Sequence, residues 1–210
     1  MSTGRWIAIE GGEGSGKSTQ AGLLAGALGA VLTREPGGTP VGVHIRALLL
    51  EPSAGKLSPR AEALLMAADR AQHVSDVVMP ALGSGRNVVS DRSAWSSLAY
   101  QGFGRGLELG WLQVLSDWAM GGRWPDLAVL VTVPTEVAAR RLVARREAPD
   151  RFESEAGSFH ARVAEGFEAL AAATPERWVV IDGDAGVHEV ARRVLAVTRT
   201  RLGPSVGSPL

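Results

Sequence analysis

The chain has 210 residues, 45% of them hydrophobic, and its 22 Lys plus Arg balance 22 Asp plus Glu. That length and apolar content suffice for one well-buried α/β core without a second domain, and the neutral balance excludes a basic stripe for nucleic acid. Cysteine is absent, which excludes disulfides and thiolate metal sites and suits a reducing compartment. No apolar run approaches the ~20 residues of a membrane span, and Met1 to Arg5 is too short and polar for a secretion signal. A soluble, cytoplasmic protein is expected.

In chain order, Trp6 to Glu10 reads as a strand ending in glycines, and Lys17 to Leu28 as the helix that follows. Val31 to Thr33 reads as a second strand, and Arg34 to Gly38 as a loop by its Pro and Gly content. Pro40 fits the first turn of a helix reaching about Leu50. After a loop from Glu51 to Leu57, Ser58 caps a long helix with Pro59 at its first position. Leu64, Leu65, Ala68, Ala71, Val74 and Val78 are its expected core side. Asn87 to Ser90 is a third strand ending at Asp91-Arg92, followed by helical segments near 94–101 and 107–120. Leu127 to Val133 is apolar without alternation, as for a central parallel strand buried on both faces. A helix from Thr135 leads to Arg145-Arg146 and a charged loop through Glu153. Ser154 to Ala173 is helical, Trp178 to Asp182 a fifth strand, and Gly186 to Thr200 a last amphipathic helix. The Pro/Gly/Ser-rich tail 203–210 is expected to be disordered. Strands alternating with helices predict one α/β domain over 1–202, a five-stranded parallel sheet with helices on both faces. Ligands should then sit beyond the carboxyl ends of the strands.

The strongest chemical signal is Gly11-Gly12-Glu13-Gly14-Ser15-Gly16-Lys17-Ser18, which matches G-x-x-x-x-G-K-[ST] at every fixed position. Glycines let successive N–H groups point at phosphate oxygens, and the helix N-terminus adds its positive dipole end. Lys17 is placed for the β- and γ-phosphates of ATP and Ser18 for Mg²⁺, with Thr19 next along the loop. Of the 22 basic residues only Lys17 and Lys56 are lysine, so a chain that otherwise uses arginine keeps an ammonium where the motif needs one. The motif indicates a nucleotide and leaves the acceptor open. Asp91 at a strand end can hold Mg²⁺, and Arg92 can clamp a phosphate, although such pairs also occur as surface ion pairs. Arg140, Arg141, Arg145, Arg146 and Arg151 surround a loop. They read either as a solvated helix face or as a lid that closes on a transferring phosphoryl group.

With Thr33 to Thr39 lying between the first two clusters, the chain resembles the thymidylate kinase (dTMP kinase) family over about Trp6 to Thr200. The resemblance rests on Ile9-Glu10-Gly11, Thr33 to Thr39, Ala67 to His73, Asp91-Arg92, Ser96 to Gly102 and Asp150-Arg151. It implies the P-loop nucleotide-kinase fold with a short lid at about 143–154, ATP and dTMP as substrates, Mg²⁺, and a homodimer. It implies that Glu13 meets the deoxyribose 3′-hydroxyl, and that Arg92 with Arg46 and Arg34 holds the dTMP phosphate beside Pro36. Arg70 would donate to the thymine edge, Ser97 and Gln101 would complete the polar contacts, and Tyr100 would pack under the sugar. Because Glu13, Gly14 and Ser15 include no arginine, the resemblance is to the bacterial type, whose catalytic cation comes from the lid, here Arg146 or Arg151.

Two positions depart from the family pattern. Met66 stands where an aromatic residue commonly stacks on the base, giving up stacking worth ~1 kcal/mol. Ser93-Ala94-Trp95 follows Arg92 where a tyrosine is common, and Trp95 is expected in the core. Trp111 and Trp118 are likewise expected in the core, with an exposed helix face there as the dimer-forming alternative. The four histidines lack metal-ligand spacing and are expected at the surface or as helix caps. A kinase for another small acceptor is the rival, opposed by the set from Arg70 to Gln101. A GTPase-like switch would need an Asn-Lys pair, and the chain has none.

Overall fold

The computed structural model describes residues 4–51, 55–145 and 148–203. Arg146 and the tail at 204–210 lie outside the described residues. Five strands, β1 (Trp6–Glu10), β2 (Val31–Arg34), β3 (Val88–Asp91), β4 (Leu127–Thr132) and β5 (Trp178–Asp182), form one sheet in the order β2-β3-β1-β4-β5. Every neighbouring pair is parallel. The absence of alternation in β1 and β4 has its expected cause. Ile7, Ile9, Val129 and Val131 face a core layer under α1 (Lys17–Leu28) and α9 (Val187–Leu202), while Ala128 and Leu130 face a second layer that includes Tyr100, Phe167 and Trp178. Both faces of the sheet are thus covered, as parallel ladders require.

Local chemistry sets the helix starts. Thr39 accepts a hydrogen bond from Gly42 N at the start of α2 (Pro40–Leu50), and Ser58 does the same for Ala61 N at α3 (Pro59–His73). α3 runs through a π-helical turn at Val74–Val78 into α4 (Met79–Gly83). α5 (Ala94–Ser97) runs into a second π-helical turn, Leu98–Gly104, which packs against α8 (Gly157–Ala173). Between them lie α6 (Leu109–Met120) and α7 (Thr135–Arg145). Trp95 is core as expected, with Trp124 and Trp178 at ring-centroid distances of 4.5 and 5.2 Å.

Three sequence expectations are overturned. On α3 the buried side is polar: Glu62, Asp69, Arg70 and His73 are inside with Ala63 and Ala67, while Leu64 and Ala68 face outward and only Val74 and Val78, beyond its end, are buried as expected. Trp111 and Trp118 are 75% and 82% exposed on α6. His73 is fully buried. Its Nδ1 lies 2.9 Å from Glu35 Oε1 and its Nε2 lies 2.8 Å from Thr33 Oγ1. For α3 and His73 the physical reason is the same: periodicity reports where apolar residues fall, but distant segments supply the partners that allow polar ones to be buried. The two tryptophans are the converse case, an apolar face that nothing in this chain covers among the described residues.

Glu10, the last residue of β1, belongs to this buried polar frame. Its two carboxylate oxygens accept from the Ser93 and Ser96 hydroxyls, each at 2.6 Å. Burial pushes its carboxyl up to about 7. The two hydroxyls and Arg92 oppose that rise, and Glu35 adds to it. The folded value exceeds the unfolded one, so the stability linked to this proton is full below about pH 4.5 and is lost as pH rises through about 7. Glu10→Gln removes the titration. Its unfolding free energy relative to the parent should therefore climb by about 1–3 kcal/mol between pH 5 and 8. Urea unfolding at several pH values measures this, and parallel curves for the two proteins would contradict it.

Candidate active site

The loop from β1 to α1 is shaped by glycines at positive φ. Gly14 (φ 73°) is the tightest case, since a Cβ there would lie 2.5 Å from the Ala138 carbonyl oxygen of α7. The loop is thereby seated on the helix that leads to the lid. Gly16 is the N-cap of α1, which has no side-chain cap and no acidic residue in its first turn. Its first N–H groups and positive dipole end are left for an anion. Ser15 is buried and its Oγ accepts from Lys17 N at 3.4 Å. Lys17 Nζ lies 3.3 Å from Glu13 Oε2 and 3.4 Å from Gly12 O.

Arg92 follows β3 in the left-handed region (φ 73°), a conformation that costs a non-glycine residue roughly 1–3 kcal/mol. Its backbone N–H donates to Ile9 O at 2.9 Å, which fixes it beside the start of the loop. The guanidinium donates through Nη1 to Gly11 O (3.1 Å) and Ser96 Oγ (3.0 Å), and through Nη2 to Glu13 Oε1 and Tyr100 Oη. Tyr100 Oη also donates to Glu13 Oε1 at 2.8 Å. Burial alone would raise the Glu13 carboxyl, but Lys17 and Arg92 hold it well below the usual carboxylate range. Arg92 in turn is held above the usual guanidinium range despite its burial, by Tyr100, Glu13 and Asp91.

These groups open on a cavity of about 520 Å³, a size suited to small ligands. Glu13, Gly14, Gly16, Lys17, Ser18 and Thr19 line one end. Arg34, Pro36, Arg46, Met66, Arg70, Ser97 and Tyr100 line the other, with Asp91 and Arg92 between. Arg46 Nη1 donates to Pro36 O at 2.9 Å, tying α2 to the loop after β2. Arg70 is buried with Nε on Glu35 Oε2 (2.8 Å) and Nη2 on Ser97 Oγ (3.0 Å). Glu35 is held low despite its burial, chiefly by Arg70 and then by His73. Asp91 lines the cavity, and its Oδ1 is buried with no hydrogen-bond partner. An unpartnered carboxylate oxygen with the Ser18 hydroxyl in the same cavity fits a hard cation.

Of the expected acceptor-side and lid residues that the structure describes, two stand elsewhere. Gln101 is fully buried, gives its amide Nε2 to Glu62 Oε1 at 2.9 Å, and is not among the cavity-lining residues. Its burial in the interior places the Glu62 carboxylate, not the cavity, within reach. Arg151 also turns away, with Nε on Leu49 O at 2.6 Å and Nη2 2.9 Å from Glu62 Oε2. The lid residues that do line the cavity are Asp150, Phe152 and Glu153, with Arg141 and Arg145 of α7. Ser96, Phe152 and Glu153 were not expected there. Ser96 and Phe152 are immediate neighbours of Ser97 and Arg151, so segment matching reached the region without resolving which side chain faces inward.

The family model described as thymidylate kinase matches residues 9–194. A thymidylate kinase of Clavibacter michiganensis subsp. michiganensis is 50% identical over 204 residues, covering 95% of this chain and 94% of the relative. One from Synechococcus sp. (strain JA-2-3B'a(2-13)) is 48% identical over 202 residues, covering 94% and 95%. The crystal structure of thymidylate kinase from Ehrlichia chaffeensis superposes with a TM-score of 0.78 at 30% identity, covering 93% of this chain and 99% of that one. With sequence and fold agreeing from the first strand to the last helix, the chain belongs to the thymidylate kinase family.

Proposed function

We propose that the chain transfers the γ-phosphoryl group of ATP to dTMP, giving dTDP and ADP, with donor and acceptor meeting at Glu13. The observation that carries this reading is that Glu13 contacts Lys17 on the ATP side and Arg92 with Tyr100 on the other. One carboxylate thereby sets the spacing between the two halves of the cavity. Lys17 and the α1 N-terminus neutralise the donor phosphates. Arg92, Arg46 and Arg34 align the acceptor phosphate for in-line attack. Arg70 and Ser97 read the base, and Tyr100 floors the sugar. Ser18 and Asp91 would hold Mg²⁺, which when bound supplies further positive charge to the donor phosphates. No proton abstraction from the acceptor is needed because its phosphate is already anionic near neutral pH, so catalysis is positioning and charge stabilisation. Arg146 is assigned as the lid cation. The cytoplasm is the expected compartment.

The exposed apolar face of α6 is assigned to a second copy of the chain. Trp111, Val114 and Trp118 recur at helical spacing on one side, and α6 packs on α3, whose Leu64 is also exposed. Sedimentation velocity should give a dimer for the parent and a monomer for Trp111→Asp/Trp118→Asp. A parent that stays monomeric at tens of micromolar rejects the assignment.

Two further measurements bear on the chemistry. ADP release with Mg-ATP and a panel of nucleoside monophosphates should show dTMP as clearly the best acceptor; a better acceptor from the panel would overturn the reading. Met66 is half-buried and lines the same cavity as Leu50 and Phe152, so Met66→Phe should tighten dTMP binding about fivefold through added ring contact. Calorimetric titration reads this directly, and an unchanged or weaker dissociation constant counts against it.

A further inference from the structure

We propose that Arg151 and Glu62 form a strut that holds the lid against the acceptor-binding helices, so that Arg151 positions the lid and does not touch the transferred phosphoryl group. The proposal rests on the reading of the cavity as the ATP and dTMP site.

Arg151 is held by two hydrogen bonds and one ion pair, always to the acceptor half. Its backbone N–H donates to Leu50 O at 3.0 Å and its Nε to Leu49 O at 2.6 Å, both at the C-terminal end of α2. Its Nη2 lies 2.9 Å from Glu62 Oε2 of α3. These two helices carry Arg46, Met66 and Arg70. A short cation on a flexible stem could meet one of these acceptors; the planar fork spans both a carbonyl and a carboxylate.

Glu62 is built as the fixed end. It is 1% exposed, and it also accepts from Gln101 Nε2 (2.9 Å) and from Arg105 Nε and Nη2 (3.2 and 3.0 Å). Arg105 reaches on to Glu155 Oε1 at 2.5 Å, so the hub ties α3 to the π-helical turn and to the segment after the lid. A carboxylate this deep is tolerated because two guanidiniums and an amide meet it.

The strut's free end leads into the cavity. The Arg151 guanidinium lies 5.0 Å from the centre of the Phe152 ring, which stands edge-on to Tyr100 at 5.6 Å. One residue further, Glu153 accepts from Arg145 Nη2 at 2.7 and 2.8 Å, so the register fixed at Arg151 carries to the end of α7. Displacing Arg151 would shift Phe152 and Glu153 together, and with them the wall that keeps water from the donor phosphates.

The test measures kcat and KM for both substrates, phosphate release from ATP without dTMP, and melting temperature. The proteins are the parent, Arg151→Ala, Arg151→Lys, Glu62→Gln and the Arg151→Ala/Glu62→Gln pair. Expected for Arg151→Ala is a kcat about 10- to 100-fold lower, a raised KM for dTMP, a KM for ATP within about twofold, and a higher ratio of hydrolysis to transfer. Glu62→Gln should reproduce that pattern, and the double variant should be no worse than either single one. Arg151→Lys should recover only part of the loss. If Arg151→Ala instead loses about 1,000-fold or more in kcat while Glu62→Gln transfers normally, Arg151 touches the reacting group and the proposal falls. It falls equally if the variants lower only the melting temperature with kinetic constants and hydrolysis ratio unchanged. Should Glu62→Gln not fold, the two Arg151 variants decide through the hydrolysis ratio. A parent that does not phosphorylate dTMP would mark failure of the proposed function, which is visible before any substitution is made.

Discussion

One pairing register holds the site together: Ile9 sits beside Asp91, and Asp91 beside Arg34. Parallel strands send all their carboxyl ends to one edge, and this register makes three of those ends level. The next residues along each strand then meet. Arg92 N donates to Ile9 O and Glu35 N to Asp91 O, both at 2.9 Å. The P-loop, the Arg92 turn and the loop from Glu35 to Thr39 are therefore neighbours before any side chain is considered. A one-residue slip of β3 would turn Asp91 to the other face of the sheet and carry Arg92 away from Gly11 O. The site is thus a consequence of sheet geometry first and of side-chain chemistry second.

Side chains then convert proximity into orientation. Glu13, Glu35 and Glu62 are carboxylates each shared between two side chains, at least one of them from a distant segment: Lys17 and Arg92, Arg70 and His73, Arg105 and Arg151. Such shared ion pairs are poor sources of stability, because desolvation offsets much of the attraction. What they provide is direction. Arg70 held by both Glu35 and Ser97 has one placement, and Arg92 held by Gly11, Ser96, Glu13 and Tyr100 likewise. A transferring enzyme that works by positioning needs fixed cations more than it needs a few extra kcal/mol of fold stability.

The order of elements was readable from the chain because local rules agree with the fold: unalternated apolar strands, Thr39 and Ser58 as caps, and glycines after β1. The loop that lines one end of the cavity was readable for the same reason, being one contiguous stretch. The other end was readable only as a set of segments. Arg70 and Ser97 both line the cavity, whereas Gln101, four residues after Ser97, lies beyond it. What distinguishes them is the Glu62 carboxylate, supplied from α3, which takes Gln101 into the interior. The same limit applies to α3, where the helical period picks out Leu64 and Ala68 although the protein buries Glu62, Asp69, Arg70 and His73. Long-range partners decide which polar residues can go inside, and no local pattern encodes them.

The chain's many arginines are put to use in how its loops are secured. Arginine side chains repeatedly donate to backbone carbonyls at the ends of elements: Arg46 to Pro36, Arg141 to Ser15 and Gly183, Arg162 to Gly104, and Arg201 to Pro175 and Trp178. Unpaired carbonyls collect at helix and strand ends, and a planar donor set can bridge two of them while holding one orientation. An ammonium is a single, strongly hydrated point charge and cannot serve in the same way. In the proposed reaction Lys17 is the position where that point charge is wanted, because phosphate oxygens shift as the phosphoryl group moves between substrates. A compact cation can follow them where a fixed fork would not. The same physical difference separates Lys17, proposed to meet the reacting phosphates, from Arg151, whose anchors on α2 and α3 suit it to hold the lid in place.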